Sequence, residues 1–115
     1  MPERKLVLIV DDDWDFAHTT TRLIEAHHEV IVCHSYQGAL DAIEEQPFAA
    51  VIADFDLGVR NTGLDLLALV AARAPDTRRI LYTRLVQLNP TVPHQVVTKP
   101  ATAKELLDAI AGVSA

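Results

Sequence analysis

The sequence predicts an α/β fold: one doubly wound, five-stranded parallel sheet with helices on both faces. Three observations lead there. Short apolar runs alternate along the chain with stretches of helical period, the order that builds parallel strands joined by crossover helices. The first run, Leu6–Val10, is apolar at every position, as a strand must be when helices cover both sides of its sheet. Four of the five runs also end in a polar residue of chemical interest, Asp11 and Asp12, Asp54, Thr83 and Lys99. With right-handed connections those ends share one edge of the sheet.

Each element follows from its residues. From Trp14 to His28, Phe16, Ala17, Thr20, Leu23 and Ile24 recur at helical spacing. Val30–Cys33 is a short second strand. Ser35 suits a helix N-cap, and Tyr36, Ala39, Leu40 and Ile43 form a stripe that Pro47 ends. Phe48–Ala53 is the third apolar run. A loop through Gly58, Asn61 and Gly63 leads to a helix over Leu64–Ala74, with Leu64, Leu67, Val70 and Ala71 on one face and Pro75 just past its end. Arg79–Tyr82 is the fourth strand, ending at Thr83, and alternation sends Tyr82 and Thr83 to opposite faces. Between Arg84 and Gln95, Pro90 and Pro93 exclude a full helix and leave room for a turn or two around Leu85–Leu88. A fourth helix is therefore short or irregular, with Gln87–His94 expected to be mobile. Gln95–Thr98 is the fifth strand, and Thr102 caps a last helix that carries Leu106, Leu107 and Ile110 and ends at Gly112.

At 115 residues, half of them hydrophobic, the chain reads as a single domain over residues 1–115 that can bury a core of its own. The net charge of −6, with no basic stripe of Lys and Arg, argues against direct binding of nucleic acid or an anionic membrane. Cys33 is the one cysteine, so no internal disulfide can form, and its apolar run suggests a buried structural thiol. No run approaches the length of a membrane span and the N-terminus does not resemble a cleavable leader. A cytoplasmic location is the expectation.

The acidic strand end sets the chemistry. Asp11, Asp12, Asp13 and Asp15 fall within five residues, and two unit charges about 4 Å apart repel by roughly 4 kcal/mol at an effective dielectric near 20. Asp13 and Asp15 have a plain explanation as the cap and first turn of the following helix. Asp11 and Asp12 do not, and clustered carboxylates without nearby Cys or His suit a hard cation, Mg²⁺ above Zn²⁺. Beside such a cation, Asp54 is a candidate nucleophile for a phosphoryl group, with Lys99 to neutralise its oxygens and Thr83 to donate a hydrogen bond. Taken singly, Lys99 reads as a solvated charge and Thr83 as an ordinary strand residue. Their joint arrival at the strand ends carries the reading.

These pieces, LVLIVDDD, VIADFDLG with Asp54, ILYT with Thr83 and VVTKP with Lys99, together resemble the receiver domain of two-component response regulators over essentially the whole chain. The resemblance implies a flavodoxin-like sheet of strand order 2-1-3-4-5. It implies Asp54 as phosphoacceptor, Mg²⁺ held by Asp11, Asp12, Asp54 and the backbone carbonyl of Asp56, and Thr83 and Lys99 as phosphoryl-stabilising switch residues. The donor would be a phosphohistidine on a sensor histidine kinase or a histidine phosphotransfer protein, and the domain would signal rather than act as an enzyme. The oligomeric state stays open.

Three departures stand out against that pattern. Gly58 sits where the family usually has proline, in a loop one residue longer. Arg84 follows Thr83 where a small residue is usual, and could screen the site, pair with phosphoryl oxygens or with Asp56, or turn outward. Val96 stands three residues before Lys99, where many receivers carry an aromatic side chain that rotates on activation. Arg84 and Val96 are thus possible modulators. A receiver-like interaction module that never uses phosphate remains an alternative. A haloacid dehalogenase-type phosphatase is a weaker one, because its second acidic pair should follow the lysine. An EF-hand reading of Asp11, Asp13 and Asp15 fails at Phe16 and Arg22, where Gly and Glu are needed. The five histidines, His18, His27, His28, His34 and His94, read as surface or packing residues.

Overall fold

The computed structural model describes residues 4–58, 61–84 and 95–112. Its elements run β1 (Leu6–Val10), α1 (Trp14–Ile24), β2 (Glu29–Cys33), α2 (Tyr36–Glu45), β3 (Ala50–Ala53), α3 (Gly63–Arg73), β4 (Arg78–Thr83), β5 (Gln95–Thr98) and α4 (Ala103–Ala111). The strands form one sheet in the order β2-β1-β3-β4-β5, and every neighbouring pair is parallel. That is the predicted fold and strand order. The helix considered between the fourth and fifth strands, and the mobility expected at Gln87–His94, lie outside the described residues.

Alternation along the central strands divides the interior into two layers. Val7, Ile9, Ile52, Ile80, Tyr82 and Val97 face one way, against Ala17 and Ile24 of α1 and Leu106, Ala109 and Ile110 of α4. Leu8, Val10, Val51, Ala53 and Leu81 face the other, against Ala39 and Ala42 of α2 and Leu66, Leu67 and Val70 of α3. A strand buried on both faces can have no polar position, which is why Leu6–Val10 reads as an unbroken apolar run. Tyr82 does face away from Leu81, the neighbour that shares its face with Thr83, as alternation requires.

Helix starts are set by short polar side chains. Asp13, Ser35 and Thr102 cap α1, α2 and α4 by accepting from the backbone N–H three residues on. Several boundaries differ from the sequence expectation. The third strand begins at Ala50 rather than Phe48, because the Phe48 carbonyl accepts from the Thr77 hydroxyl at 2.8 Å instead of a ladder partner. The first helix stops at Ile24, capped at Glu25, and turns there with His28 N–H returning to the Ile24 carbonyl at 3.0 Å. The third helix begins at Gly63, and its buried face carries Leu66 with Leu67 and Val70, leaving Leu64 and Ala71 only half-buried. Cys33 is half-buried rather than buried, and burial, more than the nearby Asp41 carboxylate, still pushes its thiol pKa up. Among the described residues no helix is long and apolar enough to cross a membrane.

Candidate functional site

Parallel register gathers the strand ends. Val10 stands beside Cys33 on one side and Ala53 on the other, so Asp11 and Asp54 leave adjacent strands at one level. Each remains attached to the sheet by one further bond: Asp11 N–H to the Cys33 carbonyl at 3.1 Å and Asp54 N–H to the Val10 carbonyl at 3.0 Å. On the other side Thr83 pairs with Thr98, and Lys99 N–H reaches the Thr83 carbonyl at 2.9 Å. The result is a cleft of about 600 Å³ lined by Asp12, Asp54, Asp56, Thr83, Arg84 and Lys99 among others.

Asp11, Asp12 and Asp54 each bring one carboxylate oxygen into a common space, all within 4.8 Å of one another. Lys99 lies against them with its side chain 6% exposed. Its Nζ is 2.7 Å from Asp11 Oδ2 and 3.5 Å from Asp54 Oδ2, so the closer ion pair is with Asp11. The second Asp11 oxygen accepts from Asp13 N–H at 3.0 Å, and Asp54 Oδ1 accepts from Phe55 N–H at 2.9 Å. Thr83 is buried in the cleft wall. The Asp56 carboxylate turns toward its own loop, accepting from Gly58 N–H at 3.3 Å.

Burial and charge crowding together raise the pKa of two of these acids. Burial raises the Asp54 pKa above its ordinary value; Lys99 draws it back down and Asp11 pushes it up again. Asp12 is also raised, by burial first and then by the Asp56 and Asp11 carboxylates. Lys99 balances only part of the negative charge, because it is shared between Asp11 and Asp54. Three hard oxygen donors with residual repulsion suit a divalent cation such as Mg²⁺.

Every described residue read from the sequence as a site candidate is in or beside this cleft except Val96. That side chain is 44% exposed on the edge strand β5, opposite Leu81 in the ladder. Arg84 is exposed at the mouth. Asp13 and Asp15 occupy the N-cap and first turn of α1.

Sequence reasoning missed five contributors. Phe16, read as core stripe, lines the cleft with Lys99 Nζ 4.1 Å from its ring centroid. His34, read as surface or packing, has Nδ1 3.1 Å from the Asp11 carbonyl and stacks on Trp14 with ring centroids 3.5 Å apart. Gly63, read as loop, begins α3 with its N–H on the Phe55 carbonyl at 2.7 Å, so close to β3 that a Cβ there would lie 2.0 Å from the Asp54 carbonyl oxygen. Thr62 and Asp65 form a capping box at the same point. The signal for the last was present as T-x-x-D before an apolar run.

A family model described as the response regulator receiver domain matches residues 7–111. No curated protein matches. Among solved structures, a CheY-like response regulator receiver domain protein from Methanospirillum hungatei JF-1 is 26% identical, with a TM-score of 0.85, covering 96% of this chain and 93% of that one. The signal receiver domain of an HD domain-containing protein from Pseudomonas fluorescens Pf-5 is 24% identical, with a TM-score of 0.86 and coverage of 96% and 94%. A response regulator protein from Burkholderia pseudomallei, solved with a phosphorylated aspartic acid, calcium ion and citrate, is 26% identical, with a TM-score of 0.80 and coverage of 92% and 66%. The sheet order and the meeting of Asp11, Asp54, Thr83 and Lys99 at one edge agree with a family match that spans nearly all of the sequence, and the chain belongs to the response regulator receiver domain family.

Proposed function

We propose that Asp54 accepts a phosphoryl group from a phosphohistidine on a sensor histidine kinase or histidine phosphotransfer protein, and that the domain signals through the change this causes. The observation that carries the reading is the grouping of Asp11, Asp12 and Asp54 within 4.8 Å, with the Lys99 ammonium between Asp11 and Asp54. The structure that holds a phosphorylated aspartic acid and a calcium ion, in a protein 26% identical, supports it.

Asp54 Oδ2 attacks phosphorus in line with the leaving imidazole nitrogen. The P–N bond breaks as the O–P bond forms, and the imidazole leaves with a proton from solvent. Asp54 Oδ1 is held by Phe55 N–H, which fixes the carboxylate plane. Charge then grows on the phosphoryl oxygens at the place where Lys99 stands, and an ammonium positioned beforehand stabilises it without reorganisation. Lys99 turns from Asp11 toward the phosphoryl group, and the Thr83 hydroxyl donates to a second oxygen. Asp11, Asp12, Asp54 and the backbone carbonyl of Asp56 would hold Mg²⁺, which when bound neutralises part of that charge. Such a donor places the domain in the cytoplasm.

Incubation with acetyl phosphate and Mg²⁺, followed by intact-mass measurement, tests the reading. The wild-type chain gains one phosphoryl group, and removal of Mg²⁺ or the Asp54→Asn substitution abolishes the gain. A wild-type chain that takes no label, and whose amide resonances do not move with beryllofluoride and Mg²⁺, would be an interaction module that does not use phosphate.

A further inference from the structure

The geometry points to Phe16 as a positioning residue that holds the Lys99 ammonium through the face of its ring. An ammonium has three N–H donors, and this one is almost wholly removed from solvent. One donor goes to Asp11 Oδ2 at 2.7 Å, and Asp54 Oδ2 lies at 3.5 Å. On a third side stands the Phe16 ring, its centroid 4.1 Å from Nζ, well inside the range at which an aromatic quadrupole attracts a cation. Desolvation strengthens that attraction, because water does not compete for the charge.

The ring is itself held in place. Phe16 N–H donates to the Asp13 cap at 3.0 Å, which fixes the first turn of α1. Tyr82 packs on Phe16 with centroids 5.7 Å apart at 60°, and the Tyr82 hydroxyl accepts from Ala101 N–H at 2.9 Å. The Tyr82 ring centroid lies 5.6 Å from Lys99 Nζ. Lys99 therefore sits in an aromatic corner built by α1, β4 and the segment after β5.

This inference rests on the phosphoacceptor reading and adds a residue to it. Both carboxylate partners of Lys99 would change during a phosphorylation cycle, Asp54 as an acyl phosphate and Asp11 as one of the residues that would hold Mg²⁺. The ring keeps its face toward Nζ throughout, and so holds the ammonium over the cleft while its anionic partners change. Arg84 has Cζ 5.7 Å from the same centroid, a longer contact at an exposed position.

The test compares wild type, Phe16→Leu, Phe16→Trp and a chain with a ring-fluorinated phenylalanine at position 16, which keeps the shape and weakens the quadrupole. The expected result is a saturating acetyl phosphate labelling rate lowered roughly tenfold by leucine and by the fluorinated ring, and retained by tryptophan. The Mg²⁺ concentration for half-maximal labelling stays unchanged, because a phenylalanine ring supplies no oxygen ligand to a hard cation; a general defect in the site would move both. A fluorinated chain that labels at the wild-type rate, or leucine as active as tryptophan, overturns the inference. An upfield ring-current shift of the Lys99 side-chain protons, lost in Phe16→Leu, is the readout that does not depend on phosphorylation, and its absence in wild type also overturns it. A wild type that takes no label defeats the phosphoacceptor reading, while the ring-current measurement still decides the contact.

Discussion

Arg84 follows the buried Thr83 and stands exposed at the mouth of the cleft. Its guanidinium leans over Phe16 rather than into an ion pair with Asp56, and from there it can cover the phosphoryl group or bond its oxygens. On that basis Arg84→Ala shortens the life of the phosphorylated state. An exposed charge contact of about 1 kcal/mol sets the scale at roughly fivefold. The dephosphorylation rate of purified phosphoprotein checks this, and an unchanged rate removes Arg84 from the mechanism. Residues whose role is declared by charge at a strand end, such as Asp11, Asp54 and Lys99, were legible in the sequence. Phe16 and His34 were not, because their neighbours in space, Lys99 and Asp11, are far from them along the chain and an apolar stripe or a lone histidine has a plainer reading.

At the scale of elements, the position of Asp54 depends on how α3 is seated. Gly63 packs so closely on β3 that a methyl group would overlap the Asp54 carbonyl, 2.0 Å from the oxygen and 2.8 Å from the carbon. Backbone atoms cannot swing aside as a side chain does, so Gly63→Ala must displace the helix start or the strand end. The expected cost is about 1–3 kcal/mol in urea unfolding, with a slower labelling rate at Asp54. Unchanged stability and rate together would show that α3 does not set the site. Periodicity revealed the helix but misplaced its start, because glycine before a helical stretch signals a loop and only the Thr62–Asp65 box marks it as the first turn. The caps at Asp13, Ser35 and Thr102 were legible because each precedes an apolar stripe directly. Strand lengths were less so: Phe48 is as apolar as its neighbours, and what excludes it from β3 is a hydrogen bond from Thr77, 29 residues away.

At the scale of the whole molecule, the edge opposite the cleft is tied by His28. This buried imidazole accepts the Lys5 N–H on Nδ1 at 3.1 Å, and the Lys5 carbonyl accepts from Glu29 N–H at 2.9 Å, joining the turn after α1 to the start of β1. Burial, then the nearby His27, Lys5 and Arg4, lower its pKa below the ordinary 6.5. A histidine lowered in the folded state is neutral there while the unfolded chain takes up a proton. Its stability contribution is therefore complete above pH 6.5 and is lost as pH falls from there through the lower folded value. Urea midpoints measured from about pH 7.5 down to about pH 5.5 are expected to fall, and to fall less in His28→Gln, which does not titrate. Equal slopes would mean that His28 does not couple protonation to folding. The doubly wound parallel sheet was legible from the alternation of apolar runs and helical stretches, whereas the order β2-β1-β3-β4-β5 was implied only by the family resemblance, because alternation does not say which strands are neighbours. The central claim, that this order assembles a phosphoacceptor at Asp54, is tested most directly by locating the phosphoryl group. Wild-type chain labelled with acetyl phosphate and Mg²⁺ is trapped with borohydride, which reduces an acyl phosphate to the alcohol, and then mapped by peptide mass spectrometry. Reduction confined to Asp54 is the predicted result, and reduction at Asp11 or Asp12 instead, or at no carboxylate, would contradict it.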